Sequence, residues 1–300
     1  MSDTFFTASP HWTWFIILYF FVGGLAGGAY FLAAVLEWFG RPDDRPVIRS
    51  GYNLALGGAV VSGLLLTLDL GRPFRFWHML VQSDNLPRIM FKSWSPISFG
   101  AWVLLLFALF AFLSVLGARA DGGRVRAKLV AAIGGVLGFG LAGYTGVLLS
   151  VTNRPIWADS PWLGALFLAS GASTGAAALL LRGRARGAAE SSMHWLRTFD
   201  TRALIVELLI LIVFIASLGS VARVWLSGWG VFLLVVVGVG IVWPLWLHAK
   251  PVGTAMGGGG VWGVNPATLV LVGGFLLRVV TLLASNAIEL HRVAAAGVVR

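Results

Sequence analysis

The sequence predicts an all-α integral membrane protein with eight transmembrane helices, and three observations carry that prediction. Of its 300 residues 58% are hydrophobic and only 11% charged, with a mean hydropathy of +0.87; a soluble domain carries about 25% charged residues. Eight segments reach the roughly 20 apolar residues that a spanning helix needs. The basic residues behind the net charge of +10 fall in short connections between apolar runs. There they act as topology signals rather than as a phosphate-binding face, so no nucleic-acid partner is expected. The chain has no cysteine, which excludes disulfides, thiolate zinc sites and any iron–sulfur cluster held by this chain.

The helices are expected near 14–39, 51–71, 96–117, 129–150, 161–182, 202–222, 226–248 and 266–288, in a single membrane domain of residues 1–300. The first four are read as one four-helix bundle and the last four as a second. Residues 1 to 13 carry no Lys or Arg and the first apolar run is long enough to span, so it is expected to serve as its own insertion signal. Helix two closes in Thr67-Leu68-Asp69-Leu70-Gly71-Arg72-Pro73, where Gly71 and Pro73 stop it. The connection onward to Trp94-Ser95-Pro96 is long and charge-rich, with Arg75, Trp77, His78, Arg88 and Lys92. Such loops more often bind something than merely connect. Helix four contains Gly143-Tyr144-Thr145-Gly146 and runs directly into Thr152-Asn153-Arg154-Pro155. The Gly24-xxx-Gly28-Ala29 pattern of helix one is echoed by Gly171-xxx-Gly175-Ala176 in helix five. Small residues at this spacing let helices approach closely, and two bundles related as a parallel repeat would account for the echo, as would chance in a glycine-rich protein.

An even number of helices puts both termini on one side. Eight Lys and Arg lie on that side and thirteen on the other. The positive-inside bias therefore places the termini in the periplasm of a bacterium, with the protein in the inner membrane. Trp12, Trp14, Trp38, Trp94, Trp157, Trp162, Trp225, Trp229, Trp243 and Trp246 cluster at helix ends and read as headgroup-level belt residues.

Several residues can carry chemistry. Asp69 lies just inside the end of an apolar segment, where an ionisable side chain is costly and is a functional candidate by default. Tyr144 could hydrogen-bond a quinone carbonyl, or be satisfied by a neighbouring helix carbonyl. Glu207 and Arg278 fall within spans, and Arg278 is either a structural pin between helices or part of a proton or water path. His11, His78, His194, His248 and His291 all fall at helix ends or in loops. They offer no facing pair of axial ligands within a bundle, so no haem is expected. If electrons move here, quinone is the natural lipid-soluble partner.

Four stretches resemble one family. Tyr19-Phe20-Phe21-Val22-Gly23-Gly24-Leu25-Ala26-Gly27-Gly28-Ala29-Tyr30, Leu68-Asp69-Leu70-Gly71-Arg72-Pro73-Phe74-Arg75-Phe76-Trp77, Ser95-Pro96-Ile97-Ser98-Phe99-Gly100-Ala101-Trp102 and Gly143-Tyr144-Thr145-Gly146-Val147-Leu148-Leu149-Ser150-Val151-Thr152-Asn153-Arg154-Pro155 are similar to the NrfD/PsrC family, the membrane subunits of polysulfide reductase-like complexes. Gly273-Gly274-Phe275-Leu276-Leu277-Arg278 is similar to that family's last helix. The resemblance implies an eight-helix subunit that reacts with quinone, menaquinone or ubiquinone, carries no haem, and anchors a four-cluster iron–sulfur protein bound to a molybdopterin catalytic subunit. It implies that the quinone head sits between a histidine near the start of helix one and a tyrosine in helix four, which by position are His11 and Tyr144. Asn153 is a further quinone-head candidate and Asp69 the candidate for proton transfer. Arg72, Arg75 and Arg154, with Trp77 and His78, would dock the iron–sulfur partner, the arginines through guanidinium forks to acidic groups or by stabilising charge on the quinone. Lipid headgroup contact is the alternative for each arginine. The resemblance also leaves room for proton translocation.

Two other classes compete. A secondary transporter would suit eight helices, a repeat, Glu207 and Arg278, although the distinctive polar residues gather at one face rather than at the midplane. A passive membrane anchor would need no quinone chemistry.

Overall fold

The computed structural model describes residue 12 and residues 14–82, 88–119, 124–249 and 265–297. Its long helices are α1 (Trp14–Phe39), α2 (Arg45–Asp69), α3 (Pro96–Arg119), α4 (Arg124–Ser150), α5 (Leu163–Ala185) and α6 (Glu190–Ser217). They are followed by α7 (Gly228–Val237), α8 (Trp243–His248) and α9 (Pro266–Gly297). A π-helical turn at Gly238–Val242 joins α7 and α8 into one span, Gly228–His248. Seven helices are long and apolar enough to cross a membrane on their own among the described residues. The candidate for an eighth is α6 taken together with the 3-10 segment Gly219–Leu226, into which it bends by 111°. The bend is made at Gly219, whose φ of +56° lies in the left-handed region open to glycine. The protein is thus an all-α, multi-pass membrane protein.

Several boundaries differ from the sequence expectation: α4 starts at Arg124 rather than near 129, α9 runs to Gly297 rather than 288, and helices two and six start early. Helix two starts at Arg45, not near 51, because a 3-10 turn at Pro42–Asp44 leads directly into it and Pro46 occupies a first-turn position. Helix six starts at Glu190, not near 202, because about three turns of mixed polar and apolar residues precede its apolar part. Both early turns mix polar with apolar residues and are partly buried, with Val47, Ile48, Met193 and Leu196 facing inward, so they form no apolar run.

The helix α1 is the axis of the fold, packing on α2, α4 and α5, while α5 also packs on α4, α6 and α9. The two small-residue patterns meet each other. A Cβ on Gly28 would strike the carbonyl oxygen of Gly171, and a Cβ on Gly175 would reach within 2.6 Å of the Gly28 carbonyl carbon. The contact is backbone against backbone, which only glycine permits. The first four helices and the later ones are therefore joined along α1 and α5. On the opposite face, the Asp44 carboxylate accepts from the Arg41 backbone N–H at 2.6 Å and from the Ser192 hydroxyl. This ties the α1–α2 connection to the first turn of α6.

Candidate functional site

The face on which α1 begins collects the end of α2, the connection 70–95, the start of α3, the end of α4 and the loop 151–162. Tyr144 stands in the last two turns of α4 and is only 8% exposed. Its hydroxyl donates to the Pro96 carbonyl at 2.6 Å, fastening α4 to the first residue of α3. Gly100, one turn into α3, makes room for the phenol: a Cβ there would overlap the ring. Tyr19 of α1 is buried, its ring centre 5.4 Å from that of Phe20. Sequence reading passed over Tyr19 because it opens an aromatic run, Tyr19-Phe20-Phe21, that reads as core.

Asp69 is the last residue of α2 and is exposed. Asn153 is exposed beyond the end of α4. Arg154, expected on a docking surface, is instead fully buried, its guanidinium 5.3 Å from the centre of the Trp157 ring. Trp157 is also fully buried rather than part of the belt. It stacks on Trp12 with ring centres 5.6 Å apart and donates from its indole N–H to the Thr281 carbonyl at 2.9 Å. The loop turns inward at Ile156, whose φ of +72° is a strained conformation for a β-branched residue. The Ile156 N–H donates to the Asp159 carboxylate at 2.9 Å. Nothing in the sequence signalled this inversion. His11 lies outside the described residues.

The connection after α2 forms a 3-10 helix, Pro73–Met79, then folds back at a bridge between Val81 and Ile89. The Trp102 indole N–H donates to the Met90 carbonyl at 2.9 Å, and the Lys92 N–H to the Ser98 hydroxyl at 3.1 Å, pinning the connection to α3. Arg72, Arg75 and Trp77 are exposed on it. His78 is half-buried, its ring edge-on to Trp77 with centres 3.9 Å apart. Phe74 is 94% exposed and Trp94 79%, and Phe76, Ile89 and Phe91 are also open. The result is a basic, aromatic surface.

A second polar cluster lies inside the helices. Arg278 of α9 is fully buried; its Nε donates to the Phe20 carbonyl at 3.2 Å, and its Nη1 donates to the Ser170 hydroxyl at 2.9 Å and the Gly274 carbonyl at 2.6 Å. Its guanidinium lies between the rings of Phe167 and Phe21, at 5.1 and 5.8 Å. Glu207 of α6 accepts from the Ser173 hydroxyl at 2.9 Å. Two turns earlier on α6, the buried Asp200 has His248 Nε2 at 3.9 Å, and His248 Nδ1 lies 3.1 Å from the Thr201 hydroxyl. Asp200 escaped notice because it precedes the expected helix start.

The sequence profile described as "Polysulphide reductase, NrfD" matches residues 3–289, which take in every residue of both clusters. This protein belongs to the NrfD family. The C subunit of polysulfide reductase from Wolinella succinogenes is 29% identical over 293 residues, covering 89% of this sequence and 92% of the relative. Protein NrfD homolog of Haemophilus influenzae is 28% identical over 280 residues, covering 80% of this sequence and 84% of the relative. Protein NrfD of Escherichia coli is 26% identical over 203 residues, covering 60% and 62%.

Proposed function

We propose that this NrfD-family protein is the quinone-reactive membrane anchor of an oxidoreductase complex. It exchanges electrons between the membrane quinone pool and an extrinsic four-cluster iron–sulfur protein, itself bound to a molybdopterin catalytic subunit. The bacterial inner membrane is its place, with both termini periplasmic. The observation that carries the reading is the coincidence, on one face, of a nearly buried phenol at a helix end with an exposed basic and aromatic connection. A lipid-soluble carrier reaches the first, and a soluble redox protein the second.

The residues present fit a quinone head. Menaquinone or ubiquinone, when bound, supplies two-electron, two-proton chemistry. Tyr144 donates its O–H to the Pro96 carbonyl, so its oxygen keeps lone pairs to accept a hydrogen bond from a quinol hydroxyl. Rotation of that O–H away from Pro96 would turn the same group into a donor for a quinone carbonyl. The exposed Asn153 carboxamide offers a donor and an acceptor at the same end of α4, and His11 is the remaining candidate. Asp69, exposed at the end of α2, is placed to pass protons to water. Arg72, Arg75, Trp77 and His78 form the docking surface, with Trp94 beside them. Arg154, buried against Trp157, shapes the loop beneath that surface rather than meeting the partner directly.

Proton translocation is a second reading, supported by two buried polar groupings two turns apart along α6, Asp200 with His248 and Glu207 with Ser173, the latter beside the Ser170–Arg278 contact. Equal proton stoichiometry in intact and uncoupled vesicles would remove it. The main reading is tested by purification from membranes in mild detergent, with metal analysis, an optical spectrum and quinone extraction on one sample. Iron, molybdenum or tungsten with bound quinone and no haem band supports it. A lone polypeptide with neither metal nor quinone brings a transporter or passive anchor to the front.

A further inference from the structure

On the face opposite the candidate site, α1 and α4 diverge around a groove of about 420 Å³. Its walls are Phe31, Ala34 and Val35 of α1 and Gly135, Val136 and Phe139 of α4. At its foot is Trp38, the one side chain there with a polar atom, and that atom is committed: the indole N–H donates to the Lys128 carbonyl at 2.8 Å. Lys128 returns the contact, its ammonium donating to the Trp38 carbonyl at 3.2 Å and lying 5.5 Å from the centre of the indole ring. Tryptophan and lysine so clamped fix one cation at headgroup depth, at the mouth of an acyl-sized apolar channel.

We propose that this groove is a binding site for one anionic phospholipid, with an acyl tail along Phe31, Gly135 and Phe139 and the phosphate on Lys128. Charge complementarity argues for that occupant. Among the described residues only one of the three ammonium donors of Lys128 is used and no carboxylate pairs with it. A zwitterionic lipid would fill the channel equally well but would bring its own cation to the phosphate. The preference for an anionic head therefore rests on Lys128, and occupancy of the channel on the absence of a side chain at Gly135. A Cβ at Gly135 would sit 3.1 Å from the Ala34 Cβ, so a larger side chain there must extend into the groove.

The test is lipid retention by the protein purified from membranes, read by native mass spectrometry after incubation with equal phosphatidylglycerol and phosphatidylcholine. One phosphatidylglycerol per protein is expected to survive delipidation. Lys128→Gln is expected to lower its retention about fivefold, the value of one lysine at an anionic surface, leaving phosphatidylcholine unchanged, and Lys128→Arg restores it. Gly135→Leu is expected to abolish retention of both lipids. Equal retention of the two lipids by the unaltered protein, or unaltered selectivity in Lys128→Gln, would overturn the proposal. So would a groove already covered by a copurifying subunit, seen as no retained lipid. Lys128→Gln removes no buried group, so it keeps the test decisive if Gly135→Leu fails to assemble.

Discussion

The Tyr144 hydroxyl and the Pro96 carbonyl, 2.6 Å apart, join α4 to α3 at the level where the connection after α2 meets the helices. One atom pair thus has two duties, holding a helix end and presenting a phenol oxygen. Tyr144→Phe separates them. The lost hydrogen bond is expected to cost about 1 kcal/mol of stability, a small change in detergent unfolding. Quinol-dependent reduction of the iron–sulfur partner is expected to fall at least tenfold, in the range of one lost proton-transfer or hydrogen-bonding group. A modest loss of stability with full quinol oxidation would reduce Tyr144 to a helix fastener.

Arg278 and Glu207 are expected to behave as a coupled pair. Breaking a buried charge pair by removing one partner costs about 3–5 kcal/mol, and Arg278 is linked toward Glu207 through Ser170 and the α5 turn bearing Ser173. Arg278→Met and Glu207→Gln alone should each destabilise strongly, and the double variant should cost clearly less than their sum. Unfolding in detergent with a double-mutant cycle measures this. Simple additivity would mean that the two groups are independent. Arg278→Lys should not rescue, because an ammonium cannot reach Phe20, Ser170 and Gly274 with one planar fork.

How much of this was legible beforehand varies with the physics involved. Spanning helices are announced by hydropathy, so their number and order could be read directly, and the small-residue patterns of α1 and α5 marked a contact surface. That the two patterns face each other needed the structure, since spacing names a sticky face but not its partner. Helix starts at Arg45 and Glu190 were hidden because their first turns interleave charged and polar residues with the few apolar ones they bury, which breaks the apolar run. Arg154 and Trp157 looked interfacial by composition. The left-handed turn at Ile156 carries them inward, and a β-branched residue is the last type from which to expect such a turn.

Close approach of α1 to α5 sets a steep steric limit. Gly28→Leu or Gly171→Leu forces a side chain into opposing backbone, which cannot yield as a flexible side chain can. Overpacking of this kind typically costs about 1–3 kcal/mol, more where backbone must move, so a large loss of folded yield is expected by size exclusion in detergent. Gly57→Leu is the matched control, because nothing lies within 4 Å of a Cβ there. Equal yields for the three variants would mean that the helices are not held at this distance.

The proposed docking surface makes a prediction about rate as well as affinity. Arg72 and Arg75 are exposed, Arg72 just before the 3-10 helix and Arg75 on it, beside Phe74 and Trp77, which are also exposed. Rim charges steer encounter, whereas exposed aromatic side chains supply contact area on desolvation. Arg72→Glu with Arg75→Glu is therefore expected to slow capture of the iron–sulfur partner and to flatten its salt dependence, because the favourable field being screened has been removed. Trp94→Ala, on the same connection, should leave the association rate nearly unchanged and speed dissociation, costing about 1–2 kcal/mol or more if Trp94 is an anchor. Partner binding to the purified membrane subunit at several ionic strengths separates the two. If both variants bind as the parent does, the partner must dock elsewhere, and the exposed aromatics of this connection would belong to the lipid interface instead.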